Sequence, residues 1–204
     1  MADSTNVERQ GYTPSEKNVG KRLDNLFAEH LKGRMIIATF ASNVDRVQHI
    51  INSAHKYGRK VAVEGRSMVN IIATASELGY IKIPKNTLIE TDQIKNYPDD
   101  QIVLITTGSQ GETMAALSRM ANSTHRKVSI VPSDTIIFSS SPIPGNASSI
   151  NVVVNRLFRA GAKVLVNTAF NNLHTSGHAS QEEQKLMLLL TKPKYFFPVH
   201  GEYR

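Results

Sequence analysis

Apolar runs rich in β-branched residues recur along the chain, and each leads into a stretch whose apolar positions return every three or four residues. "RMIIATF" (34–40) reads as a buried strand, and "NVDRVQHIINSAHKYG" as the helix after it, with Asn43 as N-cap and Val44, Val47, Ile50, Ile51 and Ala54 on one face. "KVAVEG" (60–65) repeats the theme, followed by "SMVNIIATASELG", which Gly79 ends from the C′ position. "QIVLITTG" (101–108) predicts a third strand, running through Gly108 and Gly111 into a helix over "ETMAALSRMAN". "KVSIVPSDTIIFSSS" predicts two short strands around a Pro-Ser-Asp turn. "SSINVVVNRLFRAG" predicts a helix capped by Ser148 or Ser149, and "KVLVNT" (163–168) the strand after it. The last pair is a helix over "SQEEQKLMLLLTKP", with Ser180 and Glu183 as a capping box, and a strand over "YFFPV". A first helix covers 15–33.

Strands that are apolar throughout and alternate with helices imply a mostly parallel sheet covered on both faces. The expected fold is therefore α/β, a Rossmann-like doubly wound domain spanning 1–204. With 204 residues, 40% of them hydrophobic, one domain of this size can bury a full core. No apolar run approaches the ~18 residues that a membrane span needs, and "MADSTNVERQ" lacks the apolar core of a signal peptide. There is no cysteine, which removes disulfide frameworks and Cys-based zinc sites and fits a reducing compartment, by default the cytoplasm. The net charge of +7 points to an anionic partner, although the basic residues are scattered through "GKRL", "YGRK", "THRK" and "NRLFRAGAK".

Several strand ends carry groups suited to chemistry. "TTGSQGE" (106–112) joins a strand to a helix start, where backbone N–H groups of Gly108, Ser109, Gln110 and Gly111 can face an anion. Its spacing is neither a P-loop nor GxGxxG, and a tight turn needing two glycines explains it equally well. "FSSSPIPGN" places Ser139, Ser140 and Ser141 before a loop fixed by proline and glycine; such loops are also ordinary connections. In "HTSGH", His174 and His178 are four apart, but Gly177 between them and the cap-like Ser180 after them indicate loop rather than helix, with Ser176 close by. His200 ends an apolar strand, so these groups are expected to gather along one sheet edge. Three histidines could bind zinc, but no HxHxD or HExxH run accompanies them, and the nearby carboxylates are Glu182, Glu183 and Glu202. His30, His49, His55 and His125 are expected on solvated faces. Asp3 in "DSTN" reads alone as a frayed terminus. These observations fit an enzyme, a non-catalytic phosphate- or RNA-binding module, or an assembly domain.

Taken together, "DSTNVERQGYTPSE", "ATFASN", "AVEGRSM", "TTGSQGETMAALSRMA", "SSSPIPGN", "HTSGHASQEE" and "KPKYFFPVHGEYR" resemble the ribonuclease J family, bacterial enzymes of the metallo-β-lactamase superfamily that carry a β-CASP domain. The resemblance runs the length of the chain but covers only the β-CASP part. The HxHxDH run that holds most metal ligands in the family is missing, so the chain looks like an excised insert.

The resemblance implies a single-stranded RNA substrate, degraded 5′ to 3′ or cut internally during RNA decay and maturation. It implies a metallo-β-lactamase domain as neighbour, in which two zinc ions, with manganese or magnesium as alternatives, generate the attacking hydroxide. It also implies a homo- or hetero-oligomer with a paralogue. Asp3 resembles the acidic residue that orients a histidine, and His178 the histidine that contacts the scissile phosphate and assists the leaving oxygen. His200 resembles the histidine that turns toward the metals. His174, Ser176 and Gly177 would line the RNA path; Gly108 to Gly111 and Ser139 to Ser141 would receive phosphates. A carboxylate beside an imidazole fixes its tautomer and favours a donor at phosphate. By this reading the chain alone holds no tightly bound metal and does not cleave. Ala147 stands where the family pattern has Glu, and Thr113 where it has Pro.

Overall fold

A computed structural model of the chain describes residues 1–143, 145–168 and 170–201. The chain falls into two compact units, Met1–Asn18 with Thr175–Arg204 and the intervening Val19–His174.

The larger unit is built on five parallel strands: β2 (Met35–Ala38), β3 (Lys60–Glu64), β4 (Ile102–Thr106), β5 (Thr135–Phe138) and β6 (Lys163–Leu165), in the order β3-β4-β2-β5-β6. Successive side chains of a strand point to opposite faces, and here both faces are apolar. Met35, Ile37, Val61, Val103, Ile105 and Ile137 pack with α1 (Glu16–Glu29), α2 (Val44–Lys56) and α3 (Arg66–Glu77). Ile36, Ala38, Ala62, Leu104, Ile136 and Phe138 pack on the other side with α4 (Ala116–Ala121) and α5 (Ala147–Arg159). The doubly wound parallel sheet expected from the continuous apolar runs is therefore present. Asn43 caps α2 by accepting from the Arg46 N–H, and Gly79 follows α3 with φ +79°.

Several local expectations are corrected. "KVSIVPSDTIIFSSS" supplies one strand rather than two: the Asp134 carboxylate accepts from Val131 N–H at 2.9 Å and from Arg34 at 2.8 Å on both oxygens, which holds 131–134 as a turn. The helix expected over 112–122 starts only at Ala116, because Glu112 turns back to accept from the Gln110 N–H. α5 is preceded by Asn146, with no side-chain cap, so Ser148 and Ser149 lie inside it. β6 stops at Leu165, since Asn167 turns its side chain to the Leu173 N–H and to Ser141 Oγ. His125 is not solvated. Its side chain is 3% exposed, with Nε2 3.3 Å from Glu64 and Nδ1 accepting from the Lys127 and Val128 N–H groups.

The smaller unit contains β1 (Ala2–Asp3), α6 (Gln181–Thr191) and β7 (Pro198–Val199). The expected strand over "YFFPV" shrinks to two residues, and it pairs in parallel with β1 in a sheet of its own, in register Asp3 to Val199. His200 thus ends a strand of this separate sheet and not one of the five-stranded sheet. Ser180 and Glu183 form the capping box of α6 as their spacing predicts. α6 has no buried residue; Leu186, Met187, Leu189 and Leu190 are exposed, as are Tyr195, Phe196 and Phe197 after it. Among the described residues no helix is long and apolar enough to cross a membrane.

Candidate functional site

The smaller unit brings the two ends of the sequence together at atomic distance. Asp3 Oδ2 accepts from His178 Nδ1 at 2.5 Å, and the His178 and His200 rings stack with centroids 5.2 Å apart and 28° between planes. Asp3 Oδ1 accepts from the Thr5 N–H at 2.8 Å. That bond, reinforced by the one from His178, lowers the Asp3 pKa from 3.8 to about 2, so the carboxylate is ionised at any physiological pH. The parallel β1–β7 pair fixes the spacing, because it sets Asp3 beside Val199 and so beside His200. Ser4 donates to the Val199 carbonyl from both its N–H, at 2.8 Å, and its hydroxyl, at 2.9 Å. Gly201 completes the approach: a Cβ there would meet Ser4 Oγ at 2.5 Å.

The loop that carries His178 is held by hydroxyl and amide groups. Ser176 Oγ accepts from the His178 N–H at 3.1 Å and from Asn6 Nδ2 at 3.0 Å. Asn6 Nδ2 and Thr13 Oγ1 donate to the His178 carbonyl at 3.1 and 2.9 Å. Gly177 has open space where a Cβ would sit. Sequence reasoning singled out Asp3, Ser176 and His178 but missed Thr5, Asn6 and Thr13. The only signal was the clustering of Thr5 and Asn6 with Asp3 in "DSTN".

Asp3, His178 and His200 each offer a ligand-type atom within 4.8 Å of the others. Do they fit a metal ion? Asp3 and His178 share one hydrogen bond, which spends a carboxylate oxygen and a ring nitrogen on each other. What remains for an ion is imidazole nitrogen and the free lone pairs of the Asp3 carboxylate, groups that would join a larger donor set. These residues fit a divalent metal as contributors. Glu202 lies outside the described residues.

In the larger unit the C-terminal ends of the parallel strands collect the second group of expected residues. Gly108 (φ +105°) and Gly111 (φ +75°) bend the loop after β4, and a Cβ on Gly111 would meet the Ser149 carbonyl carbon at 2.5 Å. Gln110 is 4% exposed and clamps the neighbouring loop: Nε2 donates to the Ser141 carbonyl at 2.9 Å, and Oε1 accepts from the Ile143 N–H at 2.8 Å. Ser139 and Ser140 are buried, donating to the Leu173 and Ser109 carbonyls. Ser109 is buried too, and Ser141 Oγ accepts from Asn167 at 2.9 Å. Pro144, in the same loop, lies outside the described residues. His174 Nδ1 lies 2.9 Å from Arg46 Nη1. A guanidinium only donates, so His174 carries its ring proton on Nε2. Arg46 itself is fully buried, and also donates to the Ser139 carbonyl at 2.7 Å. Ala147 opens α5, and Thr113 is exposed.

Comparison with known proteins identifies the family of the chain. The family described as "Ribonuclease J, beta-CASP domain" matches residues 32–157, and "Zn-dependent metallo-hydrolase RNA specificity domain" matches 163–204. Ribonuclease J 1 of Streptococcus pyogenes is 54% identical over 204 residues, all of this chain and 36% of that protein. Ribonuclease J of Helicobacter pylori is 52% identical over 203 residues, and that of Thermus thermophilus 50% over 204; the chain spans 29% and 35% of their lengths. A crystal structure of a protein of unknown function from Enterococcus faecalis shares the fold, with TM-score 0.59 at 17% identity over 92% of this chain and 40% of that one. A doubly wound parallel sheet, an aspartate–histidine pair closed by the "DSTN" and "HTSGH" segments, and half-identical relatives along the whole length give one answer: the chain belongs to the ribonuclease J β-CASP family.

Proposed function

We propose that this chain is the RNA-gripping and catalysis-assisting part of a ribonuclease J-type nuclease acting on single-stranded RNA, working as one piece over 1–204 beside a metallo-β-lactamase domain. The observation that carries the reading is the Asp3–His178 hydrogen bond with His200 stacked against the same ring. Asp3, ionised, holds His178 with Nδ1–H toward itself, so that Nε2 is the atom turned to a substrate. In its protonated form His178 can donate from Nε2 to a phosphate oxygen or to the departing oxygen of a phosphodiester. His200 is the residue assigned to the metal, zinc in the first instance, with manganese or magnesium as alternatives. The metal supplies Lewis acidity at the scissile phosphate when bound.

Ser176 and Gly177 shape the loop beside His178. His174, with its Nε2–H, and the loops at 108–111 and 139–141 are assigned to contacts with RNA phosphates. Buried Ser139 and Ser140 act there as scaffold, setting the backbone that meets the ligand. The exposed apolar side chains of α6 and of 195–197 support a neighbouring domain. Relatives are about three times as long as this chain, and a contiguous exposed apolar patch marks an interaction surface.

The assignment of roles is tested in a full-length ribonuclease J carrying this segment. His178→Ala is expected to lower kcat strongly and leave metal content nearly intact, whereas His200→Ala is expected to lose metal. Equal loss of metal from both would contradict the roles given.

A further inference from the structure

Thr5 has no place in the roles above, yet it touches both halves of the cluster. Its N–H donates to Asp3 Oδ1 at 2.8 Å, and Asp3 in turn holds His178. Its hydroxyl oxygen lies 2.9 Å from the His200 carbonyl oxygen and 2.8 Å from His200 Nδ1. A threonine hydroxyl has one proton to give and lone pairs to accept with, whereas a carbonyl oxygen can only accept. Both contacts are hydrogen bonds only if the hydroxyl donates to the carbonyl and His200 Nδ1–H donates to the hydroxyl. That arrangement puts the ring proton on Nδ1 and leaves Nε2 with its lone pair.

We infer that Thr5 is a positioning residue that selects the Nδ1–H tautomer of His200 and so presents Nε2 as an acceptor or metal ligand. The backbone supports this. His200 sits at φ +63°, a conformation uncommon for a residue with a Cβ, and the bond from Thr5 to its carbonyl helps hold the peptide there. One residue thereby sets the orientation of both imidazoles, His178 through Asp3 and His200 directly. A hydrogen-bonded partner on the far ring nitrogen is the usual means of fixing the tautomer of a ligating histidine, and a hydroxyl serves here.

The inference rests on the reading of His200 as a metal-facing residue, but its test needs no metal. Nitrogen-15 spectra of the imidazoles in the 204-residue chain, free of metal and above the pH at which the ring is protonated, report which nitrogen carries the proton. The unaltered chain and Thr5→Ser are expected to show His200 protonated on Nδ1, and Thr5→Val to lose that preference. Protonation on Nε2 in the unaltered chain overturns the inference, with no variant needed. So does an unchanged tautomer in Thr5→Val. Metal content, by which the reading of His200 as a ligand stands or falls, is a separate measurement. There Thr5→Val is expected to weaken zinc affinity of the full-length enzyme by about 10–100-fold, as loss of such a partner does elsewhere, with Thr5→Ser restoring it.

Discussion

Gly111 and Gly79 provide a matched pair for separating backbone strain from crowding. Both have positive φ, +75° and +79°, so alanine at either site is strained by about 1–2 kcal/mol. Their surroundings differ. At Gly79 an added Cβ meets nothing within 4 Å, whereas at Gly111 it meets Ser149 C at 2.5 Å, Ile150 N at 2.6 Å and Ser149 O at 2.7 Å. Those atoms are backbone in the first turn of α5, so no rotamer change relieves the clash, and the loop or the helix must move. Overpacking of this kind adds about 1–3 kcal/mol. Gly79→Ala is therefore expected to cost about 1–2 kcal/mol and Gly111→Ala about 2–5 kcal/mol. With a urea slope of about 2 kcal/mol per molar, the midpoint falls by about 0.5–1 M in the first variant and about 1–2.5 M in the second. Far-ultraviolet circular dichroism in a urea titration measures both. Equal midpoints would refute the argument that the 108–111 loop is pressed against α5.

Other consequences can be measured alongside. Arg34→Met leaves Asp134, fully buried, without its bidentate partner and is expected to destabilise by about 3–5 kcal/mol. Lys56→Met breaks an ion pair to Asp24 in which the lysine is 60% exposed, and no measurable change is expected in the same denaturation assay. Arg46→Met removes bonds to the Ser139 carbonyl and to His174, each worth about 1.5–3 kcal/mol to a charged donor; lower stability and weaker RNA binding in a filter assay should appear together. The Glu183 carboxyl is held below its ordinary value of 4.5, first by the Ser180 N–H and then by that of Thr13. A depressed carboxylate adds stability that is present above its unfolded value and lost as pH falls through the folded one. Glu183→Gln should therefore flatten the loss of α6 helicity as pH falls below 4.5, seen in an acid titration.

The sheet was legible because β2 to β5 are apolar on both faces, which only a covered parallel sheet allows. The caps of α2 and α6 were legible because a cap is a local interaction over three residues. What escaped depends on partners distant in sequence. "HTSGH" invites a pairing of its two histidines by spacing, but His174 bonds Arg46 and His178 bonds Asp3, 175 residues away. His125 looked solvated because nothing near it in sequence announces Glu64. Thr5 went unnoticed because its partner is 195 positions on. β6 came out short because the Asn167 side chain took a hydrogen bond with the Leu173 N–H, and β7 because its partner β1 is itself only two residues long.

The central claim is that the chemistry of this chain is one half of a composite site. It is tested most directly by incubating the purified chain with 5′-monophosphorylated single-stranded RNA and added zinc or manganese, with a binding titration in parallel. The account predicts salt-sensitive binding without turnover. Metal-dependent cleavage by the chain alone would show that Asp3, His178 and His200 build a working site by themselves, and would contradict it.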